Sequence, residues 1–191
     1  MNKKLTLFLS LVLVGAIFFT GCSATTGKTG EKILRSNNSS EPGSLDPALA
    51  TGTHESWVLE NVFEGLMTFD EKGELVNGMA KDYKISDDGL TYTFTIRDDA
   101  KWSNGDPVTA EDFEFTWKRA LDPETASDYA TILYYIKGGE AFNIGEGSID
   151  DVGVKALDEK TLEVTLEYPT AYFLELTAFY TYFPVNKSVV E

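Results

Sequence analysis

The sequence is poor in the residues on which many enzymes and metal sites depend. It contains one cysteine, Cys22, and one histidine, His54, among 191 residues. A single cysteine cannot form a disulfide within the chain, and these two residues cannot make a zinc framework or a histidine-rich catalytic centre. Basic residues are also few, since 16 lysines and arginines stand against 31 acids and leave a net charge of −15. This acidity argues against nucleic acid and anionic membrane surfaces as partners, because both would repel the protein.

The N-terminal residues have the composition of a signal peptide. Two lysines precede the apolar run Leu5–Phe19, which at about 15 residues is shorter than the roughly 20 that a membrane span needs. Cys22 follows a small residue, as in a bacterial lipobox, although Phe19 stands where such motifs usually carry Leu, Val or Ile. We therefore expect a signal peptide at 1–21, a lipidated Cys22 followed by a flexible linker over 22–32, and attachment to the extracytoplasmic face of the cell membrane. The alternative for Cys22 is a free thiol that carries no lipid.

From Ile33 onward, the pattern predicts a mixed α/β fold. The clearest strand is Leu90–Ile96, in which apolar residues alternate with threonines. Other predicted strands are Ile33–Arg35, Leu66–Phe69, Leu75–Val76, the residues leading to Ile85, and a hairpin within Val154–Leu166. Predicted helices are Glu55–Phe63 with Leu59, Val62 and Phe63 buried, a helix capped by Thr109, Tyr129–Ile136, and one after Pro169 with Tyr172, Phe173 and Leu176 as its apolar stripe.

The segment Arg97–Phe115 crowds six acids into nineteen residues and raises the question of a metal or carboxylate site. Asn104-Gly105 is a turn pair, and Thr109 is placed to cap a helix whose first turn carries two of the acids. The spacing of the acids does not fit a calcium loop. We therefore interpret the segment as scaffold and predict no metal site and no catalytic residue, although a carboxylate pair that converges only in space stays open.

Several blocks of the sequence resemble one known family. "AKDYKISDDGLTYTFTIRDDAKWSNGDPVTAEDFEFTWKRALDPETASDYA" (Ala80–Ala130) is similar to the signature region of the family 5 solute-binding proteins, in particular to their oligopeptide-binding members, which serve ABC importers. Further similar blocks are "EPGSLDP", "VFEGLMTFD", "GVKALDEKTLEVTLEYPTAYF" and "PVNKSVVE". The resemblance covers essentially all of Ile33–Glu191, with small departures such as Tyr83, where tryptophan is common.

The resemblance implies a type II periplasmic-binding-protein architecture, in which two lobes close over a cleft and an extra domain is inserted into the first lobe. Members of the family are much longer than this chain. On that map, residues 33–63 are the first segment of lobe one, 64–185 the inserted domain, and 186–191 the start of the return to lobe one. We therefore expect a truncated chain that lacks the second main lobe.

The resemblance also implies a function and a set of binding residues. The family captures short peptides as extended strands and delivers them to ABC permease subunits, without catalysis or cofactor, and we expect a monomer. Thr51, Gly52 and Thr53 align with the segment whose main chain pairs with the peptide, and Tyr129 aligns with a tyrosine of the cleft. Without the family, Thr51–Thr53 is equally a polar lead into a helix, and Tyr129 a core aromatic. His54 is expected to be an exposed residue at the start of a helix.

Other functions stay open at this point. A hydrolase of the Ser-His type would have to use His54, and nothing near it resembles a nucleophile elbow. A surface adhesin or carbohydrate-binding protein could use the aromatics of Tyr129–Tyr135. Within the resembling family, the cargo could instead be nickel, haem or a peptide pheromone.

Overall fold

The computed structural model describes residues 33–190, and from Asn38 onward they form one compact unit. Six strands are present in this part of the chain: β1 Met67–Phe69, β2 Leu75–Asn77, β3 Ala80–Ile85, β4 Thr91–Ile96, β5 Val154–Ala156 and β6 Thr161–Thr165. Its α-helices are α1 Thr53–Val62, α2 Ala110–Leu121, α3 Gly139–Asn143, α4 Phe173–Leu176 and α5 Lys187–Val190. Short 3₁₀ helices occupy Ala130–Leu133, Ile149–Asp151 and Tyr180–Tyr182.

A four-stranded antiparallel sheet carries the main core. Its strand order is β3-β4-β6-β5, and in its centre Tyr92 lies opposite Val164 and Phe94 opposite Leu162. These side chains are buried, whereas the threonines of β4 face the other side and are only half-buried. The predicted alternation is therefore confirmed, because one face of a strand must be apolar to pack against a core. A separate two-stranded hairpin pairs β1 with β2.

Helix α2 covers the buried face of the sheet. Four of its apolar residues lie on one side and are fully buried, Phe113, Trp117, Ala120 and Leu121, whereas Phe115 is half-buried. The helix begins at a capping box in which Thr109 and Asp112 satisfy each other's backbone amides. It ends at Asp122, directly before a proline. The Trp117 indole N–H donates to the Tyr182 carbonyl oxygen at 2.8 Å, which ties α2 to the C-terminal part of the chain.

The acid-rich segment Arg97–Phe115 is strand end, turn and capped helix, as predicted. Gly105 takes a positive φ of 94° in the turn, a conformation that favours glycine. Four of its acids have local cationic partners: Asp98 contacts Lys81, Asp99 contacts Arg97, Glu111 contacts Lys187, and Glu114 contacts Lys118. Asp112 belongs to the cap and also accepts a hydrogen bond from the Trp102 indole at 3.1 Å. Capping, turn formation and ion pairing account for these acids.

Several local predictions are wrong. Ile33–Arg35 is not a strand: a strand needs a hydrogen-bonded neighbour, no strand of the described residues pairs with this segment, and Leu34 is 90% exposed. Val62 is 65% exposed rather than buried, because α1 ends there and only Leu59 of its predicted stripe is fully buried. The helix after Pro169 is only α4, and it begins after Tyr172, which is exposed.

The predicted helix Tyr129–Ile136 is also wrong, since only the 3₁₀ turn Ala130–Leu133 forms. The backbone after that turn is used elsewhere. Ile136 forms an antiparallel bridge with Leu166, and the Lys137 amide donates to the Thr165 carbonyl at 2.9 Å. The chain thus continues the pairing at the C-terminal end of β6 where helix was expected. Among residues 33–190, no helix is both long and apolar enough to cross a membrane.

Candidate functional site

A small apolar cluster lies apart from the main core and supports the predicted binding segment. Its buried members come from three parts of the chain: Ala50, Leu59, Tyr180 and Phe183. Phe63, Tyr129 and Phe179 are partly buried against them. The cluster therefore packs the residues before α1, α1 itself, and the aromatic run near Tyr180 into one unit.

Thr51–Thr53 runs over this cluster into helix α1. Gly52 is the N-cap and has an extended backbone, with φ −115° and ψ 162°, and its carbonyl accepts the Ser56 amide at 3.1 Å. Thr51 and Thr53 are exposed. Within the described residues, their backbone amides donate no hydrogen bond. The first amides of a helix have no partner within it, so this segment presents main-chain donors to an external acceptor.

Tyr129 lies beside this segment, although 78 residues separate it from Thr51 along the chain. Its hydroxyl donates to the Thr51 carbonyl oxygen at 3.3 Å. Its ring stands edge-on to Phe179 and Tyr180, with centroid distances of 5.8 and 6.0 Å. The side chain is half-buried, so Tyr129 holds the backbone of the segment while part of it faces solvent.

Sequence reasoning missed Glu55, which lies beneath the segment. The carboxylate is buried, and its Oε1 accepts the Gly43 amide at 2.8 Å and contacts His54 Nε2 at 3.1 Å. The Gly43 hydrogen bond is the main cause that lowers the pKa of Glu55 below its ordinary 4.5. Burial acts in the opposite direction and raises this pKa, whereas the Glu55 amide, His54 and the Gly52 amide lower it by smaller amounts. His54 is thus half-buried and bonded to Glu55, not simply exposed. The sequence did contain one signal for Glu55, because an acid in the first turn of a helix is favoured by the helix dipole.

Gly52 is required by the close approach of Glu55. A Cβ atom at this position would lie 2.3 Å from Glu55 Oε2 and 2.7 Å from His54 Cε1. The backbone conformation itself suits any residue, so the constraint is space and not φ. Glycine lets the carboxylate reach the turn from below while the peptide backbone above it stays open to solvent.

Tyr180 was also missed, and the run "FYTYF" around it was the available signal. Burial raises the pKa of the Tyr180 phenol well above its ordinary 10.0, with further contributions from Tyr129 and Glu55. Tyr180 therefore stays neutral and acts as an aromatic support for Tyr129. Its edge-on contact with Tyr129 is a favourable aromatic geometry.

The arrangement offers groups that can bind a ligand through its main chain. It offers unpaired main-chain amides, a fixed carbonyl and an aromatic wall, which together fit an extended backbone with little regard to its side chains. No group of three His, Cys, Asp or Glu residues able to hold a metal ion occurs among residues 33–190. Cys22, the predicted lipidation site, lies outside the described residues.

Comparison with known proteins relates these features to one family. Residues 74–190 match the family model described as bacterial extracellular solute-binding proteins, family 5, middle region. The oligopeptide-binding protein OppA of Bacillus subtilis is 50% identical over 99% of this chain. The structures of Escherichia coli murein tripeptide-binding protein MppA and of Listeria monocytogenes OppA bound to peptide match with TM-scores of 0.76 and 0.75, at 45% and 44% identity.

These matches also define how much of each relative the chain represents. The two structural matches cover 78% and 77% of this chain, and the predicted mixed α/β fold of type II periplasmic binding proteins is confirmed over that part. The chain spans 36% of the Bacillus subtilis protein and 30% and 29% of the two solved chains. The matched sequence thus corresponds to about a third of a relative's length.

Proposed function

Because the chain belongs to the family 5 bacterial extracellular solute-binding proteins, we propose that it forms part of a receptor that captures short peptides for an ABC importer. Similarity to an oligopeptide-binding protein and to an OppA structure bound to peptide supports this cargo. The partners of the proposed receptor are short peptides and the permease subunits of the importer, and its action involves no catalysis.

One observation of this structure carries the proposal. Thr51 and Tyr129, distant in sequence, meet through a hydrogen bond at a segment whose exposed amides have no acceptor among the described residues. A peptide lying as an extended strand supplies carbonyl acceptors at such a segment. Thr51, Gly52 and Thr53 would then bind through their main chain, and Tyr129 would hold the Thr51 carbonyl and border the peptide.

A proline at position 53 tests this main-chain pairing. Thr53 is the first residue of α1, where proline is well tolerated, and the extended Gly52 before it suits a following proline. Thr53→Pro removes one amide donor, whereas the control Thr53→Ala keeps it. In calorimetry of the complete gene product with a mixed short-peptide library, we expect Thr53→Pro to weaken binding about tenfold and Thr53→Ala to change it little. Equal affinities would refute the pairing, and binding of another solute without any peptide would refute the cargo.

We further propose that the protein is a lipoprotein held at the extracytoplasmic face of the membrane through Cys22, with residues 1–21 removed as a signal peptide. The apolar run followed by a small residue and cysteine supports this assignment. Growth with a clickable fatty acid should label the wild-type protein and leave a Cys22→Ala variant unlabelled. Equal labelling of both would show that the anchor is not at this cysteine.

The domain map stays part of the proposal. It assigns 33–63 to the first segment of lobe one, 64–185 to the inserted domain, and 186–191 to the return into lobe one. The segment Thr51–Thr53 then belongs to lobe one, and Tyr129 to the inserted domain. Their hydrogen bond and shared aromatic cluster would join the two at the peptide site.

A further inference from the structure

A second cleft lies away from Thr51–Thr53 and has a distinct chemistry. It has a volume of about 410 Å³ and opens between the turn that follows the 3₁₀ helix Ala130–Leu133 and the residues that leave strand β6. Three tyrosines and two carboxylates dominate its lining: Tyr134, Tyr135, Tyr168, Glu140 and Glu167. No lysine or arginine is among its lining residues. None of the proposed peptide-binding residues lines it either.

The aromatic walls of the cleft contact one another and neighbouring residues. The Tyr134 hydroxyl donates to Asn143 Oδ1 at 2.6 Å, and Asn143 in turn donates to the Leu121 carbonyl of α2. Tyr135 and Tyr168 stand nearly perpendicular, at 77° with centroids 6.0 Å apart, and Tyr168 is 53% exposed. Tyr134 is therefore positioned before any ligand arrives, as is Tyr135, whose hydroxyl accepts from the Tyr172 hydroxyl at 3.0 Å, and this lowers the entropic cost of binding one.

The two carboxylates lack cationic partners. Among the described residues, neither Glu140 nor Glu167 forms an ion pair with a lysine or arginine. Glu167 Oε2 accepts the Gly138 amide at 3.2 Å, which holds this side chain against the cleft wall. Two uncompensated negative charges beside three tyrosine rings, in a protein of net charge −15, favour a cation in the cleft.

We propose that this cleft binds the guanidinium group of an arginine side chain supplied by a polypeptide partner. A guanidinium is planar, so it stacks on a tyrosine face while its N–H groups donate to carboxylates. A glycan would use the aromatic rings but would leave both negative charges uncompensated. The proposal does not depend on peptide transport, because the cleft shares no lining residue with Thr51–Thr53 and Tyr129.

The test measures binding of two blocked amino acids to the complete gene product. Nα-acetyl-arginine amide carries the guanidinium, and Nα-acetyl-citrulline amide is its neutral counterpart of nearly the same shape. In calorimetry, the arginine compound should bind saturably and the citrulline compound should not. Equal binding of both, or no binding of either, would overturn the proposal. Equal binding of Nα-acetyl-lysine amide would overturn the guanidinium assignment.

Matched variants locate the binding. Glu140→Gln removes one charge from the cleft, while Glu146→Gln removes an exposed charge outside its lining. We expect Glu140→Gln and Tyr168→Ala each to weaken binding about two- to fivefold and Glu146→Gln to leave it unchanged. Circular dichroism checks that each variant is folded. If Glu146→Gln weakens binding as much as Glu140→Gln does, the binding is general attraction to an acidic surface and the proposal fails.

Two further measurements separate the source of the cation from peptide transport. A Gly-Arg-Gly peptide with both ends blocked should bind the cleft at least as tightly as the arginine compound. If only the single amino acid binds, the ligand is a small molecule and the polypeptide partner is refuted. Binding of the arginine compound should be unchanged by Thr53→Pro, so failure of the transport proposal would leave this result intact, and a loss would place the compound in the peptide site instead.

Discussion

Replacing a fully buried threonine by valine should have opposite effects on the free energy of unfolding at two positions, Thr116 and Thr181. Thr116 of α2 accepts the Val185 amide at 2.8 Å and donates to the Asp112 carbonyl at 2.6 Å. Thr181 is equally buried, but its hydroxyl has no hydrogen-bond partner within the described residues. Valine has nearly the shape of threonine and replaces the hydroxyl by a methyl group. The comparison therefore isolates the hydrogen bond from packing.

The expected magnitude follows from which groups lose partners. In Thr116→Val, the Asp112 carbonyl keeps the helical hydrogen bond to position 116, whereas the buried Val185 amide loses its acceptor. A buried unsatisfied donor costs about 1–3 kcal/mol, and the added methyl returns roughly 0.8 kcal/mol. We therefore expect Thr116→Val to lower the free energy of unfolding by about 1–2 kcal/mol. Thr181→Val removes an unpaired buried hydroxyl and should leave that free energy unchanged or raise it by up to about 1 kcal/mol.

Urea denaturation of the full chain, followed by tryptophan fluorescence, measures both free energies. The transition midpoint should fall for Thr116→Val and stay or rise for Thr181→Val, with equal slopes in all three proteins. Equal destabilisation by the two substitutions would refute the reasoning, because packing and not hydrogen bonding would then set the cost. A stabilised Thr116→Val would show that the Val185 amide finds another acceptor.

Three further predictions follow from the candidate site and its surroundings. Gly52→Ala forces a Cβ atom against Glu55 Oε2 and should lower the free energy of unfolding by about 1–3 kcal/mol and weaken peptide binding; unchanged values in both assays would contradict the crowding. Because its pKa is lowered, the Glu55 carboxylate stabilises the fold above pH 4.5, and this contribution is lost as pH falls through the folded-state pKa; Glu55→Gln should therefore flatten the fall in the free energy of unfolding below pH 4.5. A parallel pH profile would exclude this role. Arg119→Lys replaces the bidentate contact with Asp46, at 3.0 and 2.7 Å, by a single hydrogen bond. Denaturation should show that the free energy of unfolding falls by about 0.5–1 kcal/mol, and an unchanged value would mean that the second hydrogen bond does not contribute to stability.

The elements that the sequence predicted well are those whose local pattern and packing agree. In β4 the alternation of apolar residues with threonine coincides with one buried and one half-buried face. In α2 the cap, the first-turn acids, the apolar stripe and the following proline all indicate the same helix. Where all local signals indicate the same element, tertiary contacts do not change the secondary structure, and the element forms at the predicted residues.

The region after Tyr129 was mispredicted because tertiary contacts compete there for the backbone. Its aromatic and aliphatic residues have helical spacing, yet the Lys137 amide donates to Thr165 at the end of β6, and Gly138 adopts a positive φ of 70°. A four-residue 3₁₀ turn is what remains of the predicted helix. No local signal in the sequence indicates that the C-terminal end of β6 is available for pairing, since that end is formed by residues about 30 positions away.

The candidate binding segment poses a different problem for prediction from sequence. Its proposed chemistry resides in main-chain amides, which every residue except proline possesses, so the side chains of Thr51–Thr53 carry no distinctive pattern. What distinguishes the Thr51 and Thr53 amides is that they have no acceptor among the described residues, while the Tyr129 hydroxyl donates to the neighbouring Thr51 carbonyl. Resemblance to a family located the residues, and only the folded arrangement explains them. Because the proposed contacts are main-chain contacts, we expect peptide binding to tolerate side-chain changes at Thr51 and Thr53 that keep the amide, whereas Gly52 is limited by space and a proline at position 53 removes a donor.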